Sequence, residues 1–308
     1  MLQYAKYVRA ESPEEAYALL KKGRMNRILG GGVWLRLQTR RVSTMIDLRD
    51  CGLDQIEETE DAFRIGAMVT LHQLEKHEAF NAATNHVFDR AVRDIVGVQM
   101  RNLATVGGSL FGRFGFSDVL TALMPLDCSV ELVGAGTVPL EEFARMPYER
   151  DVLTHLVVRK HLYRASFQAL RRSATDFPVL NVCAAAWDNA WRVAVGARPT
   201  RARLVAGDDL ALPLEFNAEQ LTAACDRLAT TLTFSGNMRG SQRYRQHLAR
   251  TMGRRAILEA AGMADPAPAP EPFARPVAAT SAGASTPAGT AAPSAAADPH
   301  ATDAEVTL

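Results

Sequence analysis

The chain has 308 residues, 47% of them apolar, which is enough for two ordinary domains with sizeable cores. A net charge of +1 gives no support to nucleic-acid binding. The four cysteines, Cys51, Cys128, Cys183 and Cys225, form no CxxC pair, which argues against an iron–sulfur or zinc site on this chain and for free buried thiols in a reducing compartment. The opening residues Met1 to Lys6 lack an apolar signal core and no run reaches membrane-spanning length, so a soluble, cytoplasmic protein without a membrane span is expected.

In chain order, Ser12-Pro13-Glu14-Glu15 reads as a capping box with Pro at the first helical position, and a helix to about Lys22 follows. Arg27 to Leu29 and Thr44 to Leu48 read as strands of a small β–α–β lobe. Ile56–Glu58 and Phe63–Gly66 pair around the turn at Glu60-Asp61. Thr70 is a helix N-cap, a second helix covers roughly Ala82 to Arg93, and Ser117-Asp118 starts a helix from Val119 to Leu126, followed by a strand from Ser129 to Val133. Gly134-Ala135-Gly136 has no third glycine and no following helix, so it reads as a hairpin turn and not as a Rossmann fingerprint. Alternating patterns at 152–158, 166–170, 182–187 and 191–197 predict an antiparallel sheet, with helices at about 214–231 and 240–261. A strand run followed by a helix run makes this part α+β. From residue 263 to 308 the chain is Ala, Pro, Ser and Thr with few large apolar residues, a composition that predicts a disordered Ala/Pro-rich tail.

Two glycine-rich segments carry the chemistry. Leu29 leads into Gly30-Gly31-Gly32-Val33-Trp34-Leu35, and Arg101 to Ala104 leads into Thr105-Val106-Gly107-Gly108-Ser109. Adjacent glycines let the backbone approach a ligand closely, and bare amides in such turns make a concavity suited to phosphates. Asp118, nine positions after Ser109, is placed to accept from a ribose hydroxyl. Two such loops suggest a long ligand held at two points, and a dinucleotide such as FAD fits. His72 and His77 are not at metal-ligand spacing and read as structural. The arginines of the last helix, Arg239, Arg243, Arg245, Arg250, Arg254 and Arg255, read as a solvated face, with a docking surface for an acidic partner as the sharper alternative.

These loops resemble those of the FAD-binding (medium) subunit of the molybdenum hydroxylase family, of the xanthine dehydrogenase and carbon monoxide dehydrogenase medium-chain type. Ala104 to Ser109 is similar to the family's second loop, Gly30 to Leu35 to its first, and Asp118 to its acid. Arg171 to Val182 resembles the strand pair that opens the family's C-terminal domain, and Gly240 to Arg245 the start of its last helix. The likeness runs in order over about residues 1–262. It departs at Trp34, where a polar residue is usual, at Ser109 in place of Asn, at Gln168 where many members carry Lys, and in the run Phe111 to Phe116.

The resemblance implies an α+β chain with an FAD-binding fold of the vanillyl-alcohol-oxidase (PCMH) type in two lobes. The small lobe would span about 1–50 and the large lobe about 51–160, with a C-terminal α+β domain over 161–262. It implies FAD on this chain, lined by Leu29 to Leu35 on the pyrophosphate side and by Thr105, Val106, Gly107, Gly108 and Ser109. Asp118 would face a ribose hydroxyl, and Leu153 and Gln168 are weaker position-matched candidates. It further implies an FAD-dependent oxidoreductase subunit without catalytic residues or metal of its own. A molybdopterin-binding large subunit and a [2Fe–2S] small subunit would be its partners, and NAD or another acceptor would take the electrons. A flavin-free scaffold subunit and a self-contained flavin oxidoreductase are the rival readings.

Overall fold

The computed structural model of the chain describes residues 2–265. The tail expected over 263–308 therefore lies, from residue 266 on, outside the described residues.

The small lobe is a three-stranded parallel sheet with one helix. Ser12 accepts from the Glu15 amide at 3.1 Å and caps α1 (Pro13–Lys22). The reciprocal arm differs from expectation: the Glu15 carboxylate takes the Glu11 amide, one residue before the cap. Strands β1 (Gln3–Arg9), β2 (Arg27–Leu29) and β3 (Arg41–Asp47) lie in the order β1-β3-β2. Ala16 and Leu20 of α1 pack on Ile46, Leu48 and Leu53. Sequence periodicity missed β1, because every residue but Val8 is exposed and no apolar alternation exists to see.

The large lobe carries a five-stranded antiparallel sheet. Its strands are β4 (Ile56–Glu58), β5 (Ala62–Gly66), β6 (Cys128–Leu132), β7 (Gly136–Pro139) and β8 (Leu153–Arg159), ordered β4-β5-β8-β6-β7. The hairpin at 134–136 is present, with the Gly134 and Ala135 amides donating to Asp151 at 2.8 and 2.9 Å. Between β5 and β6 lie α2 (Leu71–Glu75), α3 (Glu78–Ala83), α4 (Val87–Val92), α5 (Val98–Arg101), α6 (Val106–Phe111) and α7 (Asp118–Leu123). Thr70 and Gln73 form a full capping box for α2. His72 pairs with Glu75 and His77 caps α3, so both histidines are structural as expected.

One helix over 82–93 is not formed. Asn85 and His86 sit at φ 53° and 60° and split it into α3 and α4. Asn81 donates to the carbonyls of Leu74, Glu75 and His77, and Asn85 donates to Ala165 at 2.6 Å. These side-chain bonds tie the turn to its surroundings and compete with continued helix. Likewise α7 stops at Leu123, short of Leu126, because Pro125 supplies no amide to a further turn.

In the C-terminal part, β9 (Arg164–Leu170), β10 (Leu180–Trp187), β11 (Ala190–Gly196) and β12 (Arg203–Ala206) make an antiparallel sheet in the order β12-β11-β10-β9. A short helix α9 (Gly207–Leu210) leads to α10 (Ala218–Thr231) and α11 (Gln242–Ala260). Strand β10 is buried on both faces: Val182, Ala184 and Ala186 pack with α10 and α11, while Cys183 and Ala185 join the core of the large lobe. That double burial explains its unbroken apolar sequence. A short helix α8 (Leu140–Arg145) sits between β7 and β8. No helix among the described residues is long and apolar enough to cross a membrane.

The last-helix arginines are not one solvated face. Arg245 is fully buried, and its guanidinium donates to the carbonyls of Val179, Ser235 and Gly240 and to Asn237 Oδ1. Arg239 pairs with Asp176 and Arg250 with Asp226, and Arg254 and Arg255 are also engaged. Arg245→Leu removes four hydrogen bonds, one of them to the buried Val179 carbonyl, at about 1–3 kcal/mol for a buried acceptor left unmet. We expect it to lower the urea midpoint of unfolding by an amount equivalent to roughly 3 kcal/mol or more.

Candidate functional site

The first glycine loop leaves β2 at Leu29 and turns through Gly30, Gly31, Gly32, Val33 and Trp34 into a short 3-10 turn at Leu35–Leu37. Gly32 has φ 69°, a left-handed conformation that only glycine adopts cheaply. Among the described residues no acceptor takes the amides of Gly30, Gly31, Gly32, Val33 or Trp34; the loop's internal bonds begin at the Arg36 amide, which donates to Gly32. Five successive backbone donors are thus left for a ligand or solvent.

The second loop lies directly against the first. A Cβ on Gly31 would meet the Leu103 carbonyl oxygen at 1.7 Å, and one on Gly30 would meet Thr105 Oγ1 at 3.0 Å. Thr105 caps α6 by accepting from the Gly108 amide at 3.1 Å. The remaining amides are committed as well. Val106 donates to Val69, Gly107 to Ala67 and Ser109 to Thr105, and the Ser109 hydroxyl also donates to Thr105. The expected cradle of bare amides therefore belongs to the first loop, and not to the second. The second loop supplies the wall behind it.

Its two glycines have different reasons to be glycine. A Cβ on buried Gly107 would meet Ala67 Cβ at 2.6 Å and its carbonyl at 2.8 Å, so protein packing excludes it. A Cβ on exposed Gly108 would have only Thr105 Oγ1 within 4 Å, at 3.1 Å. Gly108 is the glycine whose missing side chain faces open space and not the core.

Three predicted site residues are engaged elsewhere. Asp118 is 6% exposed; Arg171 donates to its Oδ2 at 2.8 Å and Asn181 to its Oδ1 at 2.7 Å. Burial pushes its carboxyl up, against the pull of Arg171 and Asn181. In the structure it ties α7 to the strand pair that follows. Leu153 lies in the large-lobe core opposite Leu132. Gln168 donates to Glu259 at 2.5 Å, joined there by Ser166.

An aromatic cluster completes the site. Trp34 of the first loop touches Phe114 at 5.4 Å, Phe116 at 5.3 Å and Phe177 at 5.8 Å between ring centroids. Phe114 and Phe116 are stacked, and Arg239 lies over Phe177. Trp34 thus joins the segment after the second loop and the start of the C-terminal part. The phenylalanine run at 111–116 was a visible signal for this; nothing in the spacing announced Phe177. No group of acids, histidines and cysteines among the described residues could hold a metal, and burial pushes the Cys51 thiol up to about 11 and that of Cys225 to about 12.

Known proteins match this arrangement. The family of the FAD binding domain in molybdopterin dehydrogenase matches residues 2–160, and the CO dehydrogenase flavoprotein C-terminal domain matches residues 165–260. The chain belongs to this FAD-binding family. Among its relatives, the xanthine dehydrogenase FAD-binding subunit of Escherichia coli O157:H7 is 27% identical over 289 residues, covering 86% of this chain and 98% of that protein. The nicotine 6-hydroxylase medium subunit of Paenarthrobacter nicotinovorans is 27% identical, covering 83% and 96%. In fold, carbon monoxide dehydrogenase of Hydrogenophaga pseudoflava superposes with a TM-score of 0.76 at 23% identity, covering 84% of this chain and 98% of that one. Quinoline 2-oxidoreductase of Pseudomonas putida 86 superposes at 0.74 and 21% identity, covering 85% and 97%.

The residues present fit the cofactor of this FAD-binding domain, since a run of unengaged amides suits a pyrophosphate. Two variants separate ligand space from packing. Gly108→Val should raise the FAD dissociation constant about tenfold or more while the fold holds, whereas Gly107→Val should overpack the core, by about 1–3 kcal/mol or more. Flavin titration beside thermal unfolding reads both. Asp118→Asn removes the charge opposite buried Arg171, and loss of one partner of a buried pair costs about 3–5 kcal/mol. We expect a stability loss of that order; a variant of normal stability that only binds FAD weakly would restore the ribose role.

Proposed function

We propose that this chain is the FAD-carrying electron-transfer subunit of a multi-subunit molybdenum hydroxylase, working in the cytoplasm. The observation that carries the reading is the first loop: five successive unengaged amides, Gly30 to Trp34, beside Thr105 and the open side of Gly108. In this reading residues 1–160 bind FAD and residues 161–262 cap it. The names of the relatives, subunits of xanthine dehydrogenase and nicotine 6-hydroxylase, support a place among partner chains. Electrons released at a molybdopterin-binding large subunit and relayed by a [2Fe–2S] small subunit would leave through this chain to NAD.

FAD, when bound, supplies a ring system that accepts electrons singly or in pairs, while the protein positions it. The chain's own residues then have defined tasks. The amides of Gly30 to Trp34 bind the pyrophosphate, with Val33 and Leu35 as apolar neighbours. Gly108 leaves room for the ligand backbone, and Thr105 holds the second loop in register through its cap. Trp34, Phe114, Phe116 and Phe177 form an apolar wall that excludes water from one side of the site. Asp118 and Arg171 hold the C-terminal sheet against α7.

The test is the visible absorption spectrum of the purified chain, followed by denaturation and identification of the released cofactor. Oxidised-flavin bands with about one FAD per chain are the expected result. A colourless protein that takes up no added FAD would sink the reading and leave a scaffold subunit in its place.

A further inference from the structure

Charge is unevenly spread along this chain. Residues 2–48 contain nine Lys and Arg against four Asp and Glu, in a chain whose net charge is +1. No acid stands between Glu15 and Asp47, a stretch holding seven Lys and Arg from Lys21 to Arg41. The fold brings Arg27 near Arg40 and Arg150. Arg27 donates to the carbonyls of Arg24 and Asn26, and burial and the nearby Arg40 and Arg150 push its guanidinium below its ordinary value. The Ser43 amide bonds the Met25 carbonyl, which sets the start of β3 beside the turn at Arg24. Arg150 reaches over from the large lobe to the Gly23 carbonyl. Among the described residues none of Lys22, Arg24, Arg36, Arg41 or Arg150 pairs with an acid.

Apolar side chains surface in the same lobe. Tyr4, Tyr7, Met25 and Leu37 are four of the thirteen exposed large apolar residues of the described chain. Strand β1 is exposed on both faces and forms an edge of its sheet. Its register sets Gln3 beside Arg41 and Tyr4 beside Val42, so the tyrosines run on from the basic cluster. An open edge strand is ordinarily covered or blunted. Tyr, Met and Arg are enriched in protein interfaces; on β1 itself Arg9 pairs with Asp50 and Tyr7 donates to Asp47.

We propose that the face formed by residues 3–9, 21–27 and 36–41, flanking the glycine loop, is a docking surface for a partner protein subunit whose contacting face is acidic with an apolar centre. The proposal rests on the reading of this chain as one subunit of a complex. Charge complementarity selects an acidic partner over a second copy of this chain, which would set like charges against each other. The mixture of cations with exposed rings on an open strand edge favours a protein over a free nucleotide.

The experiment uses the complex purified through a tag on the full chain. Amide exchange of the chain within the complex is compared with that of the chain alone, and partner retention is compared between wild type, the triple variant Arg24→Glu, Arg36→Glu, Arg41→Glu and a control Arg243→Glu on α11. Protection of residues 3–9, 21–27 and 36–41 in the complex is expected. The triple variant should lose partner at least tenfold more readily at raised ionic strength, with the control unchanged. Equal exchange of these segments in both states overturns the proposal, as does a triple variant that keeps its partner, a chain that purifies alone, or one bound only to its own copies. Flavin per chain is measured in the same samples, so failure of the cofactor reading shows separately. Should the triple variant lose its fold, the exchange map of the wild-type complex still decides.

Discussion

The contact on which this site depends is the abutment of two backbones. Gly31 lies so close to the Leu103 carbonyl that no side chain fits between them, and Gly107 is pressed in the same way against Ala67. Each loop is therefore shaped by the other and by β5's exit, and not by its own sequence alone. Because the second loop spends its amides on Val69, Ala67 and Thr105, it is rigid, and a rigid wall holds the first loop in its open, donor-rich form. Preorganised donors lose less on binding than donors that must be ordered first.

A second constraint joins the two parts of the chain. Cys183 and Ala185 of β10 enter the large-lobe core while their neighbours enter the core beneath α10 and α11. Asp118, Arg171 and Asn181 add a buried polar knot at the same seam, and Thr121 donates to Asn181 at 3.2 Å. Apolar burial supplies the adhesion, and the polar knot sets the register, since only one alignment satisfies every member. Trp34 reaches the same seam from the small lobe through Phe177.

Much of this was legible in the sequence. The glycine loops, the caps at Ser12, Thr70 and Ser117 and the strands after residue 150 rest on local chemistry that a sequence displays directly, although β8 pairs in the large-lobe sheet and β12, not seen in the sequence, takes the fourth place in the C-terminal sheet. What was hidden was tertiary. The exposed strand β1 has no pattern because it buries almost nothing. The break at Asn85 and His86 follows from bonds to Leu74, Glu75, His77 and Ala165, none of them visible in a helical period. Asp118 looked like a ligand acid because its spacing is right; its partners Arg171 and Asn181 are 53 and 63 residues away. Arg245 looked like surface because a charge was read without the turn before the helix and the Val179 carbonyl, 66 residues away, that take its hydrogen bonds.

A cradle built from amides constrains conformation and leaves chemistry at the side chains open. At Val33 and Trp34 the unengaged groups are main-chain amides, which any side chain there but proline's would leave in place. Drift is then confined by the glycines that permit the backbone contacts, while the neighbouring positions become the adjustable part of the molecule. The aromatic ring at position 34 is one such adjustment: it ties the loop to Phe114, Phe116 and Phe177 and leaves the loop's amides as they are.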